Sequence, residues 1–362
     1  MSNIYAVVLA GGRGERFWPL SRSNNPKQFL QLTSEKSMIK ETVDRIMPMI
    51  PISNVVVVTS EDMKERMLSQ IPGILPENIL AEPKGKNTCM AVGYAAAYIH
   101  GIDPNAVMIV LSCDHLIRPA EKLLQVFKAA VKVAASGDYL ITIGIVPSRA
   151  ETGFGYIQVA ELFNTVEGVD VYRVKTFKEK PSRIVAQEYY YDRQHLWNSG
   201  MFIWSVKSIL KALGTYAPGI NEYLKSLRKY LGTSKEEEHK REIYENVENI
   251  SVDCAILERA DNVLTIKSDF IWDDVGSWLA LERFMERDRH NNVAVGKTHL
   301  EDSFETTVVN DDNDGIITTF GVSDLIIVKT NGIVMVAHKT RASDIKELVS
   351  RLSEIQEFRE YL

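Results

Sequence analysis

The first two thirds of the chain alternate short apolar runs with stretches in which apolar residues recur at helical spacing. The runs are rich in Val, Ile and Leu and predict strands at residues 4–9, 55–59, 107–111 and 140–145. The stretches between them predict helices over residues 61–70, 88–100 and 119–135. Apolar strands separated by helices are typical of a parallel sheet covered on both faces. Such sheets bind ligands beyond the carboxyl ends of their strands, so functional residues are expected in the segments that follow.

The pattern changes after Pro147. Further strands are predicted at residues 156–159, 171–177, 326–329 and 333–337, and further helices over 182–190, 206–213, 218–229 and 342–362. The last helix places Ile345, Leu348, Leu352 and Ile355 on one face, which is expected to pack on its own domain, with a homodimer contact as the alternative. The sequence thus predicts the α/β class, with a Rossmann-like, mixed but mainly parallel sheet flanked by helices in a domain of residues 1–286. A small β-rich domain of residues 287–362 follows and ends in the helix.

Composition narrows the function. Lys and Arg number 42 against 48 Asp and Glu, and the net charge of −6 argues against a protein that coats nucleic acid. The net charge does not exclude a local cationic pocket. Three cysteines without a C-x-x-C pair indicate a reducing compartment. The apolar run at 4–9 lacks a preceding basic segment and is read as a buried strand rather than a signal peptide. We therefore expect a cytoplasmic protein without a membrane partner.

The segment after the first strand has the composition of a phosphate-binding loop. It reads Leu-Ala-Gly-Gly-Arg-Gly-Glu-Arg over residues 9–16, with glycines at 11, 12 and 14 and arginines at 13 and 16. Glycines allow backbone N–H groups to approach an anion, and guanidinium groups suit phosphate. The loop fits neither the Walker A nor the dinucleotide pattern. The alternative is a plain strand-to-helix turn, but the two arginines favour phosphate.

Three further residues are candidates for charge chemistry. Lys27 follows the loop in a segment with little helical pattern, so it could fold back over the loop. Asp114 follows the strand at 107–111, where a carboxylate could hold Mg²⁺ against a nucleotide, and it is too far from Pro119 to cap the next helix. Asp274, after Asp273, is the candidate second ligand, although a helix cap is the alternative there.

Several polar segments lack the character of a protein core. Residues 82–88 form a polar loop in which Asn87 or Thr88 is first a helix cap and second a base-contacting residue. Residues 152–156 form a turn with two glycines, and residues 179–181 end a strand with paired charges. Residues 197–202 place Asn198 and a serine among aromatics, a mixture typical of sugar sites but equally of a turn.

Taken in order, these segments resemble the sugar-nucleotidyltransferase family, in particular its mannose-1-phosphate guanylyltransferase (GDP-mannose pyrophosphorylase) branch. The resemblance extends over residues 4–281. The loop at 9–16 with Pro-Lys-Gln at 26–28 resembles the family's signature. The segments 18–22, 82–88 and 197–202 resemble those that distinguish the guanylyl branch. The resemblance implies a GT-A-like nucleotidyltransferase domain and, for a short form without the isomerase domain, a small left-handed β-helix at the end.

The resemblance also implies roles for individual residues. Those that would bind the nucleotide are Leu9, Ala10, Gly11, Gly12, Arg13, Gly14, Glu82, Pro83, Asn87 and Thr88. Those that would contact the sugar are Gly155, Glu179, Lys180, Asn198 and Asp273. Arg16, Lys27 and Asp114 would be catalytic. The side chains of Arg16 and Lys27 would bind the triphosphate and the sugar phosphate. Asp114 and Asp274 would hold Mg²⁺ or another divalent cation.

The implied reaction transfers GMP from GTP to α-D-mannose 1-phosphate and releases pyrophosphate. Two alternatives stay open at this point. The first is the same chemistry on another sugar 1-phosphate, in a GDP-heptose or GDP-glucose former, or with another base. The second is a non-catalytic regulatory paralogue that binds GDP-mannose, although a paralogue freed from catalysis would be expected to have lost some of the charged residues named above.

Overall fold

The computed structural model describes residues 3–362, which divide into two compact units. The first unit comprises residues 3–11, 42–113 and 117–272, and the second comprises residues 12–41, 114–116 and 273–362. Each unit has its own hydrophobic core. These units differ from the consecutive segments 1–286 and 287–362 that the sequence predicts as domains, and that division stays a prediction.

The secondary structure follows the alternation seen in the sequence. The strands are β1 Ile4–Leu9, β2 Val55–Ser60, β3 Ile79–Glu82, β4 Val107–Ser112, β5 Leu116–Arg118, β6 Leu140–Ile145, β7 Tyr156–Val166, β8 Val169–Lys178, β9 His195–Ser205, β10 Val263–Ser268, β11 Ile271–Asp273, β12 Val293–Val295, β13 Thr298–Glu301, β14 Thr307–Asn310, β15 Ile317–Phe320, β16 Leu325–Thr330 and β17 Ile333–His338. The helices are α1 Met38–Ile46, α2 Lys64–Gln70, α3 Asn87–Ile102, α4 Ala120–Ser136, α5 Arg183–Asp192, α6 Val206–Tyr216, α7 Pro218–Arg228, α8 Glu236–Asn246, α9 Leu281–Phe284 and α10 Ile345–Ser353.

The first unit is built on a nine-stranded sheet. Its order is β3-β2-β1-β4-β9-β6-β10-β8-β7, with β9 also paired to β7. The pairs among β3, β2, β1 and β4 are parallel, as is β6 with β10, whereas β9 and β8 run against their neighbours. The central strands are buried because helices cover the sheet, and α3 itself has ten buried residues. The predicted fold class, a mixed and mainly parallel sheet flanked by helices, is confirmed.

The second unit contains the β-rich segment as a stack of short strands. Strands β12, β14 and β16 pair in parallel, β13 pairs in parallel with β15, and β17 closes the first stack in antiparallel orientation. Strands that alternate along the chain thus lie in two stacks, as the coils of a β-helix require. Gly296 allows the close turn between β12 and β13, since its φ is +77° and a Cβ there would lie 2.0 Å from the Asn310 carbonyl oxygen.

Two sequence predictions need correction. Residues 197–202 lie inside strand β9, so the turn interpretation of that segment was wrong, because the polar side chains of Asn198 and Ser199 find buried partners within the sheet. The final helix is shorter than predicted: α10 ends at Ser353, and residues 339–344 and 356–361 are 3₁₀ turns. The Arg359 Nε donates to the Ser353 carbonyl oxygen at 2.9 Å, which satisfies an acceptor that a continuing helix would have used.

The buried face of α10 also differs from the predicted one. Ile345 is 2% exposed and packs in the core of the second unit together with Val349 and Leu352, whereas Leu348 is 40% and Ile355 43% exposed. Of the four residues predicted to share the packed face, only Ile345 and Leu352 therefore contribute to the core. Elsewhere, no helix within residues 3–362 is long and apolar enough to span a membrane.

This difference gives a stability prediction. Ile345→Ala is expected to lower the free energy of unfolding by about 2–5 kcal/mol, because it removes a fully buried side chain and leaves a cavity. The matched variant Leu348→Ala should cost less than about 1 kcal/mol because its side chain is partly in water. Urea unfolding followed by tryptophan fluorescence, to which Trp18 and Trp278 of the same unit contribute, measures both. Equal losses in the two variants would contradict the observed packing.

Candidate functional site

Lys27 is brought against the glycine-rich loop by a close backbone approach at Gly14. Gly14 has φ +67°, and a Cβ on it would lie 2.2 Å from the Lys27 Cβ, so no other residue fits there without displacement. The Ser21 hydroxyl donates to the Arg13 carbonyl oxygen at 2.6 Å and ties the loop to the following segment. The sequence expectation that Lys27 folds back over the loop is therefore met, and local contacts between chain segments explain it.

The ammonium group of Lys27 is held between the two candidate metal ligands. Its Nζ lies 2.7 Å from Asp114 Oδ2 and donates to the Asp274 carbonyl oxygen at 3.0 Å. Lys27 is 5% exposed, and its Nζ lies 5.7 Å from the centre of the Phe17 ring. A buried cation in this setting needs its partners, because an uncompensated charge away from water is unstable.

The two carboxyl groups respond in opposite ways to this environment. Burial alone would raise the pKa of Asp114, but the Lys27 ammonium and His115 outweigh it and hold the pKa below its usual value. Burial raises the pKa of Asp274 to about 6; Lys27 opposes that shift, and the negative charges of Asp273 and Asp114 add to it. The two carboxylates therefore repel each other and favour a further positive charge beside them.

These groups line one pocket of the second unit, with a volume of about 440 Å³. The side chains that line it are Arg13, Glu15, Arg16, Phe17, Lys27, Asp114, His115, Asp274 and Lys346. Arg13 and Arg16 are exposed, and neither has an ion pair within residues 3–362, so their guanidinium groups are available to a ligand. We name this cavity the phosphate pocket, since its cations and its glycine loop match the chemistry of phosphate.

Asp273 lies beside the phosphate pocket but is already engaged. Its Oδ1 accepts hydrogen bonds from the Arg283 Nη2 at 2.8 Å and from the Val275 N–H at 2.8 Å, and Arg283 Nε donates to its other oxygen. Asp273 belongs to the second unit, whereas the other predicted sugar-contacting residues belong to the first. Its contacts position the turn that carries Asp274.

Several of the predicted nucleotide residues belong to the first unit and follow the carboxyl ends of β1 and β3. Glu82 is 6% exposed, and a Cβ on Gly11 would lie 3.9 Å from its Oε2. The Tyr244 hydroxyl donates to Glu82 Oε1 at 3.0 Å, and burial raises the pKa of Glu82 to about 7. Leu9 is the last residue of β1, Ala10 follows it, and Pro83 follows Glu82 at the end of β3.

Asn87 and Thr88 are the first two residues of helix α3, and the interpretation of either as the helix cap was wrong, because the capping position is Lys86 and no side chain caps the first turn. Asn87 has φ +67°, and its Oδ1 accepts from the Thr88 N–H at 2.9 Å. The Thr88 hydroxyl oxygen accepts from the Val252 N–H at 2.9 Å. Asn87 is exposed at the start of the helix and stays a candidate for contact with a base.

The predicted sugar residues of the first unit form a second cluster. The Asn198 N–H donates to the Gly155 carbonyl oxygen at 2.8 Å, and a Cβ on Gly155 would lie 2.5 Å from Glu179 Oε2. Lys180 Nζ lies 3.0 Å from Glu179 Oε1. Gly155, Glu179, Lys180 and Asn198 are thus neighbours although they are distant in sequence.

Asp253, which sequence reasoning missed, completes this cluster. Its Oδ1 accepts from Asn198 Nδ2 at 2.8 Å, while the Thr142 hydroxyl donates to Asn198 Oδ1 at 2.8 Å, so the orientation of the Asn198 amide is set from both ends. Burial raises the pKa of Asp253 to about 7, and the charge of Glu179 adds to the shift. The signal in the sequence is an Asp inside the otherwise apolar segment 252–257, which needs a buried partner.

Comparison with known proteins gives matches over almost the whole chain. The model of a family described as nucleotidyl transferase matches residues 5–291, and that of a MannoseP isomerase/GMP-like beta-helix domain matches residues 301–352. A mannose-1-phosphate guanylyltransferase from Escherichia coli is 31% identical, with 97% of this chain and 76% of that protein covered. One from Klebsiella pneumoniae is 35% identical, with 97% and 74% covered.

A solved structure matches the backbone closely. It is described as a mannose-1-phosphate geranyltransferase from Thermus thermophilus, and it has a TM-score of 0.85 and 33% identity to this chain. The match covers 97% of this chain and 99% of that one. The fold of both segments recognised by the family models is therefore the fold of this relative.

The buried Asp253 gives a pH prediction. Its pKa in the folded state is about 7, above its usual value near 3.8, so the folded protein holds a proton that the unfolded chain has released. The contribution of this group to stability is accordingly lost as the pH rises from about 4 to about 7. Asp253→Asn keeps an acceptor for Asn198 and should remove this part of the pH dependence, so the variant gains stability relative to the wild type towards pH 8.

Chemical denaturation at a series of pH values between 4 and 8 measures this slope. Asp261→Asn, at an exposed residue of the same unit, is the control. It should leave the slope of the unfolding free energy against pH unaltered. An Asp253→Asn variant that parallels the wild type across the whole range would show that this carboxyl group is ionised in the folded protein.

Proposed function

Because the chain belongs to the nucleotidyl transferase family, in the group of the mannose-1-phosphate guanylyltransferases, we propose that it transfers GMP from GTP to α-D-mannose 1-phosphate. The family resemblance of the sequence motifs is confirmed by these matches. The observation in the structure that carries the proposal is the phosphate pocket, in which Arg13, Arg16 and Lys27 converge beside Asp114 and Asp274. A pocket that combines three cationic side chains with two carboxyl groups suits a reaction between two phosphate-bearing substrates.

The chemistry needs positioning and charge rather than a base. An oxygen of the mannose 1-phosphate attacks the α-phosphorus of GTP, the new P–O bond forms, and the bond to the β-phosphate oxygen breaks to release pyrophosphate. The attacking oxygen is already ionised at neutral pH, so no proton has to be removed. Arg16 and Lys27 hold the phosphates and offset the charge that moves to the leaving pyrophosphate. Lys27 is preorganised for this role by Asp114 and the Asp274 carbonyl.

Asp114 and Asp274 are the residues proposed to hold Mg²⁺ or another divalent cation. Their carboxylates line the same pocket and repel each other, which fits a cation placed between protein and phosphate oxygens. Within the described part of the chain no group of three or more His, Cys, Asp or Glu side chains could form a complete protein cage. When bound, the cation would neutralise phosphate charge.

The remaining predicted residues are proposed to select the substrates. In the first unit, Leu9, Ala10, Gly11, Glu82, Pro83, Asn87 and Thr88 would bind the guanine nucleotide, with Gly12, Arg13 and Gly14 of the following loop on its phosphates. Gly155, Glu179, Lys180 and Asn198 would contact mannose, supported by their clustering around one amide that Asp253 orients. Asp273 is retained as a proposed contact, although its carboxylate binds Arg283.

The direct test is pyrophosphate release by the purified chain with GTP and mannose 1-phosphate, with and without Mg²⁺. Release that depends on both substrates is the expected result. Competition with ATP, UTP and dTTP, and with other sugar 1-phosphates, would reveal another base or a GDP-heptose or GDP-glucose former. Binding of GDP-mannose without any release would instead indicate a regulatory paralogue and overturn the proposal.

Substitutions in the phosphate pocket test the roles of single residues. Arg16→Ala and Lys27→Ala are each expected to lower kcat/KM about 10²–10³-fold for both substrates, the scale of one lost preorganised charge contact. Asp114→Ala should abolish turnover that depends on the divalent cation. Lys225→Ala, at an exposed lysine of α7, is the control and should stay within about twofold of the wild type. Full activity of Asp114→Ala at ordinary Mg²⁺ concentrations would remove Asp114 from the metal site.

A further inference from the structure

A second pocket of the second unit adjoins the phosphate pocket, and the proposed reaction as described gives it no role. Its volume is about 270 Å³, and its charged lining residues are Arg13, Glu15, Arg22 and Lys346. Three of these residues, Arg13, Glu15 and Lys346, also line the phosphate pocket, so the two cavities adjoin at these side chains. Four serine hydroxyls complete the polar lining. Three cationic side chains and these hydroxyl groups against one carboxylate give the second pocket the chemistry of an anion site.

Lys346 is the residue that stands at the junction. It lies in α10, near the C-terminal end of the chain, and reaches the glycine-rich loop through Glu15, whose Oε2 is 3.6 Å from its Nζ. Both side chains are partly in water, at 67% and 35% exposure. An exposed pair at this separation is weakly held, so the ammonium can turn to a stronger anion at little cost.

Arg22 supplies an independent observation on the other side of the pocket. Its Nε is buried from solvent and has no hydrogen-bond partner in the described part of the chain. A buried guanidinium N–H without an acceptor is rare in a folded protein, so the Arg22 head group is incompletely paired within the described residues, and Arg22 also lines the second pocket. The neighbouring Ser21 is 2% exposed and holds the Arg13 carbonyl oxygen, which keeps this side of the pocket in place.

We propose that Lys346 and Arg22 form a subsite for the pyrophosphate that leaves GTP. The inference rests on the proposed function, because that reaction produces a highly charged diphosphate. Part of the Lys27 charge is balanced by Asp114 and the Asp274 carbonyl, so a leaving diphosphate calls for cations in addition to Lys27. Lys346 lines both the phosphate pocket and the second pocket, and Arg22 lines the second pocket. The C-terminal helix thereby contributes a binding residue to the site as well as supporting its unit.

The test measures binding of pyrophosphate itself to the full chain in the presence of Mg²⁺ by titration calorimetry. Lys346→Gln is expected to weaken pyrophosphate binding about tenfold, the effect of one lost charge-assisted contact. In the forward reaction, KM for mannose 1-phosphate should stay within about twofold. Arg351→Gln is the matched control, since it removes one exposed charge from the same helix and Arg351 lines neither pocket.

Arg22→Gln provides a second variant, expected to weaken pyrophosphate binding as well. Inorganic phosphate as the probe should be affected less than pyrophosphate if the subsite takes the second phosphate group. Unchanged pyrophosphate affinity in Lys346→Gln would overturn the inference, even if the chain forms GDP-mannose. Conversely, binding that depends on Lys346 in a chain that forms no GDP-mannose would overturn the proposed function and leave the diphosphate subsite supported.

Discussion

The ion pair between Lys27 and Asp114 is the interaction on which the phosphate pocket depends. Its 2.7 Å separation joins residues that are 87 positions apart, and the same ammonium group reaches the Asp274 carbonyl oxygen, 247 positions away. Three separate segments of the second unit are thereby held around one charge. The close approach of Gly14 to Lys27 makes this arrangement sterically specific, because any Cβ at position 14 would displace the lysine.

This pair also explains how a protein of net charge −6 can offer a site to polyanions. The balance that matters is local: Arg13, Arg16, Lys27 and Lys346 line the pocket against Glu15, Asp114 and Asp274. The carboxylates hold and orient the cations and are suited to a divalent metal, so they serve phosphate binding instead of opposing it. Overall charge therefore carries information about long-range partners but little about a pocket of this size.

The first unit handles buried charge differently. Within residues 3–362 neither Glu82 nor Asp253 has a cation paired to it as Lys27 is to Asp114, and burial raises the pKa of each to about 7. Each has a side-chain donor instead, the Tyr244 hydroxyl for Glu82 and the Asn198 amide for Asp253. Holding a proton near neutral pH lowers the cost of burial, and the hydrogen bonds fix the carboxyl groups where the predicted nucleotide and sugar residues cluster.

Much of this could be predicted from the sequence because the relevant signals are local. Apolar runs of strand length located β1, β2, β4 and β6, since a buried parallel strand needs a continuous apolar stretch. The glycine loop, Lys27 and the Asp residues stood out by type and order, and the resemblance they supported is borne out by the family comparison. Strand β9 was missed because its polar Asn198 and Ser199 interrupt the pattern, and only their buried partners, Thr142 and the Ile143 carbonyl, make them compatible with a central strand.

By itself, then, the sequence determined the class of fold, the family and the types of residue available for chemistry. The tertiary structure alone decided that Asp253 orients Asn198, that Lys346 reaches the glycine-rich loop, and that α10 ends at Ser353. The physical reason is the same in each case. These outcomes depend on contacts between residues far apart in the chain, whose hydrogen bonds and charges are satisfied only once the segments have packed, and no local pattern encodes such a partner.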